Sequence, residues 1–146
     1  MNNATIVSAL KTALEGASGL SYVKQVLLGN RQIDTITLYP TIIIEPIGEQ
    51  ESQEVYNVFE NKLIVSVMGL INVTNPDKQL VGDANTKGVL DVVNDLKTAL
   101  DADYTLGGVA SHMVIGEVQY SGELYPVRMF ALDLEIWFRQ TKGTRT

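Results

Sequence analysis

Residues 88–139 constrain the fold most strongly, because they combine one amphipathic helix with two long strands. The helix is predicted over 88–102, where apolar residues recur at steps of three and four and line one face. Two strands are predicted over 112–120 and 127–138, with a turn between them. A helix that leads into a strand pair predicts a helix packed against an antiparallel sheet.

The last strand has two chemically different faces. One face is entirely apolar at a period of two, which is typical of a strand that covers a core. The other face mixes apolar, charged and aromatic residues, including Met129, Asp133 and Trp137. The apolar face consists of Phe130, Leu132, Leu134, Ile136 and Phe138.

The first half of the chain predicts a second helix and three more strands. The helix is predicted over 3–15, because Ile6, Leu10 and Leu14 recur along one side. The strands are predicted over 22–28, 38–46 and 55–71. Pro40 and Pro46 are expected to bracket the middle strand, and the polar residues 49–54 are expected to form a turn.

These elements predict an α+β fold with a mostly antiparallel sheet and two main helices packed on one face. At 146 residues the chain fits a single domain over 1–146. A polar connection, with a turn at Asn75-Pro76-Asp77, is predicted over 72–87, and a frayed tail over 141–146.

The catalytic inventory of the chain is small. Cysteine is absent, which excludes disulfides and thiolate metal sites, and no phosphate-binding or serine-nucleophile motif is present. His112 is the single histidine, and no orienting partner or nucleophile stands beside it in the sequence. The pair Gly107 and Gly108 fits a turn better than a phosphate site. We therefore predict no catalytic residue, no metal, no cofactor and no enzymatic activity.

The charge of the chain disfavours ordinary binding to nucleic acid. Its formal net charge is −6, and an acidic surface repels the phosphate backbone. Glu49, Glu51 and Glu54 belong to a stretch of five glutamates without a basic residue. They are interpreted either as a solvated face or as a patch that repels passing DNA. Asp91 and Asp95, one turn apart on the second predicted helix, are interpreted as a solvated acidic face.

Strands that are largely apolar on both faces leave apolar surface that two helices on one side do not cover. We therefore predict self-association. Candidate contact residues are Met129 and Trp137 on the mixed face of the last strand, and Asn75, Asp77 and Lys78 in the long connection. Connections of this length in compact domains are usually functional or mobile.

Five segments in a fixed order carry a resemblance to a known family. They are the N-terminal helix with Leu10 and Leu14, the proline-led strand 39–44, the strand 62–71, the helix through Leu100, and the 104–109 turn with its paired strands. In this order they resemble the tail-terminator or tail-completion proteins of tailed bacteriophages. Each motif encodes shape rather than chemistry, and together they span most of the chain.

The resemblance implies a structural virion protein that assembles as a homohexameric ring. Such a ring caps the finished tail tube, ends its polymerisation and joins the tail to the head connector. The implied partners are further copies of the chain, the tail tube protein and the head–tail connector protein, with no membrane. DNA passes through the lumen without specific binding. The implied location is the tail or neck of the virion, assembled in the cytoplasm of the bacterial host.

Other functions remain open at the level of the sequence. Another head–tail connector or neck component would have similar requirements, and its docking partner would distinguish it. A small-molecule binding module would use the sheet face instead. A small enzyme would use His112 together with a carboxylate.

Overall fold

The structure, a computed structural model, describes residues 2–141, and residues 53–55 by their backbone alone. It contains three α-helices and five strands within this range. In chain order these are α1 (Asn3–Gly16), β1 (Gln25–Leu28), β2 (Thr41–Val55), β3 (Val58–Asn72), α2 (Pro76–Leu80), α3 (Val89–Ala102), β4 (His112–Ser121) and β5 (Val127–Thr141). Single 3-10 turns lie at Ser18–Leu20 and Ile33–Thr35.

The five strands form one sheet in the order β1-β2-β3-β5-β4. β1 runs parallel to β2, and every other neighbouring pair is antiparallel. β3 and β5 pair in register along their full length, from Val58 opposite Thr141 to Asn72 opposite Val127. The predicted α+β fold with a mostly antiparallel sheet is confirmed.

Both long helices pack on the same face of the sheet. Asn2 caps α1 by accepting a hydrogen bond from the amide of Thr5 at 2.9 Å, which satisfies one of the free donors at the helix start. Gly88 precedes α3, and its amide donates to the carboxylate of Asp91 at 3.0 Å. The buried side chains of the two helices join those of β2, β3 and β5 in one core. The predicted core face of β5 is buried throughout: Phe130, Leu132, Leu134, Ile136 and Phe138.

The opposite face of the sheet is covered only in part. A second, smaller cluster buries Ile36, Ile43 and Leu70, and the chain between β1 and β2 supplies its cover. Met68 and Met129 pack against this cluster. The apolar surplus inferred from the sequence is therefore partly covered within the chain itself, and the rest of this face stays open.

The prediction of a turn over 49–54 was wrong, because β2 continues through this segment to Val55. The turn that joins β2 to β3 lies at Tyr56 and Asn57. Pro46 does not end the strand but lies inside it, beside a register shift between Pro46 and Gly48. The segment looked like a turn because its polar residues mark an exposed hairpin, which is held by backbone pairing with β3 rather than by burial.

Further boundaries differ from the prediction. The strands predicted to begin at 22, 38 and 55 begin at Gln25, Thr41 and Val58. The connection 72–87 contains the short helix α2, where the side-chain oxygen of Asn75 accepts hydrogen bonds from the amides of Asp77 and Lys78. Thr141 is the last residue of β5 rather than the first residue of a tail. The remainder of the predicted tail, 142–146, lies outside the described residues.

Candidate interaction surfaces

A row of three side chains crosses the open face of the sheet. Lys62, Trp137 and His112 are directly paired across β3, β5 and β4. The rings of His112 and Trp137 are stacked, with centroids 4.5 Å apart and an angle of 12° between their planes. The Lys62 ammonium lies 5.6 Å from the centre of the Trp137 ring and 3.9 Å from a Glu135 oxygen. We call Lys62, Trp137 and His112 the tryptophan row.

The tryptophan row fits contact with another surface better than catalysis. No hydrogen bond joins His112 to a nucleophile among residues 2–141, and its imidazole is exposed and lies flat on Trp137. Val114 and Ile64 lie on the same face of the sheet, in the next paired positions, where both are paired with Glu135. Aromatic and aliphatic side chains that are half exposed on a rigid sheet are typical of interface residues.

The polar candidates of the long connection have local structural roles. Asn75 caps α2, and its side-chain oxygen accepts a hydrogen bond from the backbone amide of Asp77. Lys78 forms an ion pair with Asp83 at 3.0 Å. This ammonium, together with the backbone amides of Asn85 and Thr86, holds the pKa of the Asp83 carboxyl below its usual range. The assignment of Asn75, Asp77 and Lys78 to an interface stays a prediction.

Exposed apolar side chains surround these polar residues, and the sequence analysis did not select them. The hydroxyl of Tyr125 donates to the carbonyl of Thr74, and the side-chain amide of Gln79 donates to the carbonyl of Pro126 at 3.1 Å. These bonds hold the β4–β5 loop against the connection. Apolar residues are exposed in these two segments and at the adjoining start of α3. We call them the apolar end: Leu80, Val81, Leu90, Leu124 and Tyr125.

The glutamate-rich hairpin projects at the opposite end of β3. We define the acidic hairpin as residues 45–60, which hold five glutamates and no lysine or arginine. Glu49 accepts hydrogen bonds from the side-chain amides of Asn3 at 2.7 Å and Asn61 at 3.2 Å. It thereby joins the hairpin to the start of α1, where the helix dipole favours a negative charge. Glu51 is exposed on the same face.

The side chain of Glu54 lies outside the described residues. Glu49 and Glu51 therefore represent the predicted DNA-repelling patch in the structure. Both residues are exposed, and the DNA-repelling role of the patch stays a prediction.

A groove at the far end of β3 carries the opposite charge. It has a volume of about 290 Å³, and its lining includes two lysines and two tyrosines but no carboxylate. We call it the lysine groove and define it by Tyr22, Lys24, Tyr39, Asn72 and Lys87. No sequence pattern pointed to it, because its residues come from four separate segments of the chain.

An aspartate behind this groove fixes two of its residues. The Tyr22 hydroxyl donates to Asp95 at 2.7 Å, and the Lys87 ammonium lies 3.2 Å from the same carboxylate oxygen. Burial of the Tyr22 hydroxyl, its hydrogen bond to Asp95 and the negative charges of Asp95 and Asp91 raise the pKa of Tyr22. The interpretation of Asp91 and Asp95 as a solvated acidic face was wrong, since Asp91 caps α3 and Asp95 holds Tyr22 and Lys87.

No protein-family model matches the chain, and no curated protein matches its sequence. Residues 2–141 contain no group of three or more histidine, aspartate or glutamate side chains placed to hold a metal ion. None of the helices described in this range is long and apolar enough to cross a membrane.

Proposed function

We propose that this chain is a structural subunit that assembles into a ring at the end of a bacteriophage tail tube. In this role it ends tube polymerisation and joins the tail to the head connector in the neck of the virion. It is not an enzyme and needs no cofactor. The resemblance to tail terminators supports this proposal and implies six copies in the ring, assembled in the cytoplasm of the bacterial host.

The observation that carries the proposal is the difference between the two edges of the sheet. β4 forms one edge, and its register shifts between Ile115 and Val118. On the other side β1 covers only Thr41–Ile44, and within the described chain no strand pairs with the outer side of 45–55. A closed ring requires a contact between two different patches on each subunit, whereas a two-fold dimer requires one patch. A sheet with two unlike edges is compatible with such a heterologous contact and supports the proposal.

The apolar end supplies a surface for the tube or the connector. Val81 and Tyr125 are 64% and 60% exposed, which is a large exposure for side chains of this size. Apolar groups exposed together on a monomer mark sites of protein contact. The net charge of −6 fits a lumen through which DNA passes without adhesion.

Tail tubes assembled from the tube protein of the same phage provide the test. The protein should bind tube ends and stop their growth, and Val81→Asp should weaken this binding because it places a charge in an apolar contact. Tyr104→Asp, at an exposed residue outside the apolar end, is the matched control and should bind normally. Tubes that grow unchanged in the presence of the wild-type protein would contradict the proposal.

A neighbouring neck component is the second candidate, because the apolar end would suit a portal or connector protein equally well. Pull-down with purified tube protein and with purified connector protein separates the two functions. Capture of the connector alone would indicate that the chain is a neck component and not a tail terminator. Ligand-dependent thermal stabilisation without self-association would instead indicate a small-molecule binding module.

A further inference from the structure

The acidic hairpin and the lysine groove lie at opposite ends of the same strand. β3 begins beside the hairpin turn and ends at Asn72, which lines the groove. At about 3.3 Å per residue, its 15 residues separate the two ends by roughly 50 Å. One end of a subunit therefore cannot contact the other end of the same subunit, but it can contact the other end of the next one.

The tip of the hairpin has the composition of an interface anchor. Tyr56 lies in the turn between β2 and β3 and is 91% exposed. Glutamates precede and follow it on both strands of the hairpin, and no basic residue lies within 45–60. Tyrosine is enriched among residues that carry binding energy, because it offers a large apolar ring and a polar hydroxyl.

The lysine groove is complementary to this tip in charge and in chemistry. No carboxylate of the described residues lies within ion-pair distance of Lys24. The Asp95 carboxylate that pairs with Lys87 also accepts the hydrogen bond from Tyr22. Tyr22 and Tyr39 contribute aromatic surface to the lining. A groove with two lysines and no carboxylate is notable in a chain whose acidic residues outnumber its basic residues by 17 to 11.

We propose that the acidic hairpin of one copy docks in the lysine groove of the next copy, with Tyr56 as its anchor and Lys24 facing the hairpin carboxylates. This inference rests on the proposed function, since it names the two patches that a ring requires. The contact is heterologous, because the hairpin and the groove are different surfaces, and it therefore generates a ring or a filament rather than a two-fold dimer.

Cross-linking with a carbodiimide tests the contact directly, because the reagent joins an amine to a carboxylate without a spacer. Lys24 and Glu51 of one chain are separated by roughly 30 Å along the strands, so a bond between them has to join two chains. The multimer, alone or on tube ends, should yield a cross-linked peptide in which the carboxylate joined to Lys24 lies within residues 49–60. Its absence from a cross-linked ring would overturn the inference.

Charge reversal gives an independent readout. Lys24→Glu and Glu51→Lys should each raise the concentration needed for assembly roughly tenfold, because each places like charges in contact. The double variant should recover most of this loss. Tyr56→Ser should weaken assembly as well, and Lys97→Glu, a lysine on α3 outside the groove, makes the same charge change as a control.

The outcomes separate this inference from the proposed function. Rings that form normally in all four hairpin and groove variants would overturn the inference and leave the ring intact. A Lys24→Glu ring that assembles but no longer binds tube ends would assign the groove to the tube protein instead. A Glu51→Lys ring that assembles but retains DNA would place the hairpin in the lumen. A protein that stays monomeric with and without tubes would overturn both proposals.

Discussion

At the scale of single residues, Gly69 has the most restricted position in the sheet. It lies directly opposite Phe130 on the core face of β3 and β5, and the Phe130 ring occupies the space that a side chain would need. A Cβ atom added at Gly69 would overlap this ring. Because Gly69 has no side chain, the large ring of Phe130 can lie flat against the backbone of β3.

Gly69→Ala should destabilise the protein by about 1 to 3 kcal/mol, because the added methyl group overpacks the core against Phe130. Chemical denaturation measures this change. Gly48→Ala is the matched control, since a Cβ there would lie 3.9 Å from the nearest atom of Ile64 and should cost little. Equal stabilities of the two variants would contradict the assigned contact.

Tyr22 gives a residue-scale prediction about pH. Its pKa is raised in the folded protein by burial and by the hydrogen bond to Asp95, so the folded state holds the phenol proton more tightly than the unfolded chain. In the unfolded chain the pKa of the phenol lies near its ordinary value of 10.0. The stabilisation from Tyr22 is therefore fully present below that pH and is lost as the pH rises above it.

Tyr22→Phe should cost about 1 kcal/mol at neutral pH, because the hydrogen bond to Asp95 is lost. The difference in unfolding free energy between wild type and variant should shrink above about pH 10. Above that pH, deprotonation of Tyr22 stabilises the unfolded chain of the wild type only. Denaturation midpoints of both proteins at about pH 8 and about pH 11 measure the change. A difference that stays constant over this range would show that the Tyr22 proton is not linked to folding.

At the scale of elements, the two faces of the sheet at β5 and β4 differ in burial, and therefore in the substitutions that they tolerate. Leu134 is completely buried against the helices, whereas Val114, which pairs with Glu135 on the other face, is 45% exposed. The alternation of the strand alone predicted which face covers the core.

Leu134→Asp should abolish folding, at a cost of about 4 kcal/mol or more, because it places an unpaired charge in the core. Val114→Asp makes a similar change on the open face and should leave a folded protein. Circular dichroism and denaturation compare the two. A stable, folded Leu134→Asp protein would show that the core face has been assigned to the wrong side.

Apolar periodicity predicted the elements that bury a face, and it failed where an element buries little. α1, α3 and the core strands follow repeats of three to four or of two residues. The outer part of β2 has no such repeat, because it buries neither face. Its backbone pairs with β3 on one edge, and its other edge is open. α2 did carry a signal, since Asn75 and Pro76 are typical of a helix cap and first turn.

The interaction surfaces were less predictable than the elements, because they depend on register and on distant segments. Trp137 was selected from the mixed face of β5, but its neighbours Lys62 and His112 follow only from the pairing of three strands. Lys24 and Lys87 meet in one groove although 62 residues separate them in the sequence. A single sequence does not contain the register that brings such residues together.

At the scale of the whole molecule, the distribution of surfaces favours assembly over catalysis. The apolar end and the lysine groove include segments that meet near the end of β3, the acidic hairpin projects from its start, and the tryptophan row lies on the open sheet face. These surfaces therefore lie at different positions around one sheet. Such an arrangement suits a subunit that contacts several neighbours at once.

The molar mass of the assembled protein tests this account most directly. Light scattering over a range of concentrations, with negative-stain microscopy of the same samples and of samples mixed with tail tubes, measures both mass and shape. We predict one closed multimer of defined mass that appears as rings, free in solution or on tube ends. A protein that stays monomeric at every concentration and leaves tube ends bare would contradict the central claim.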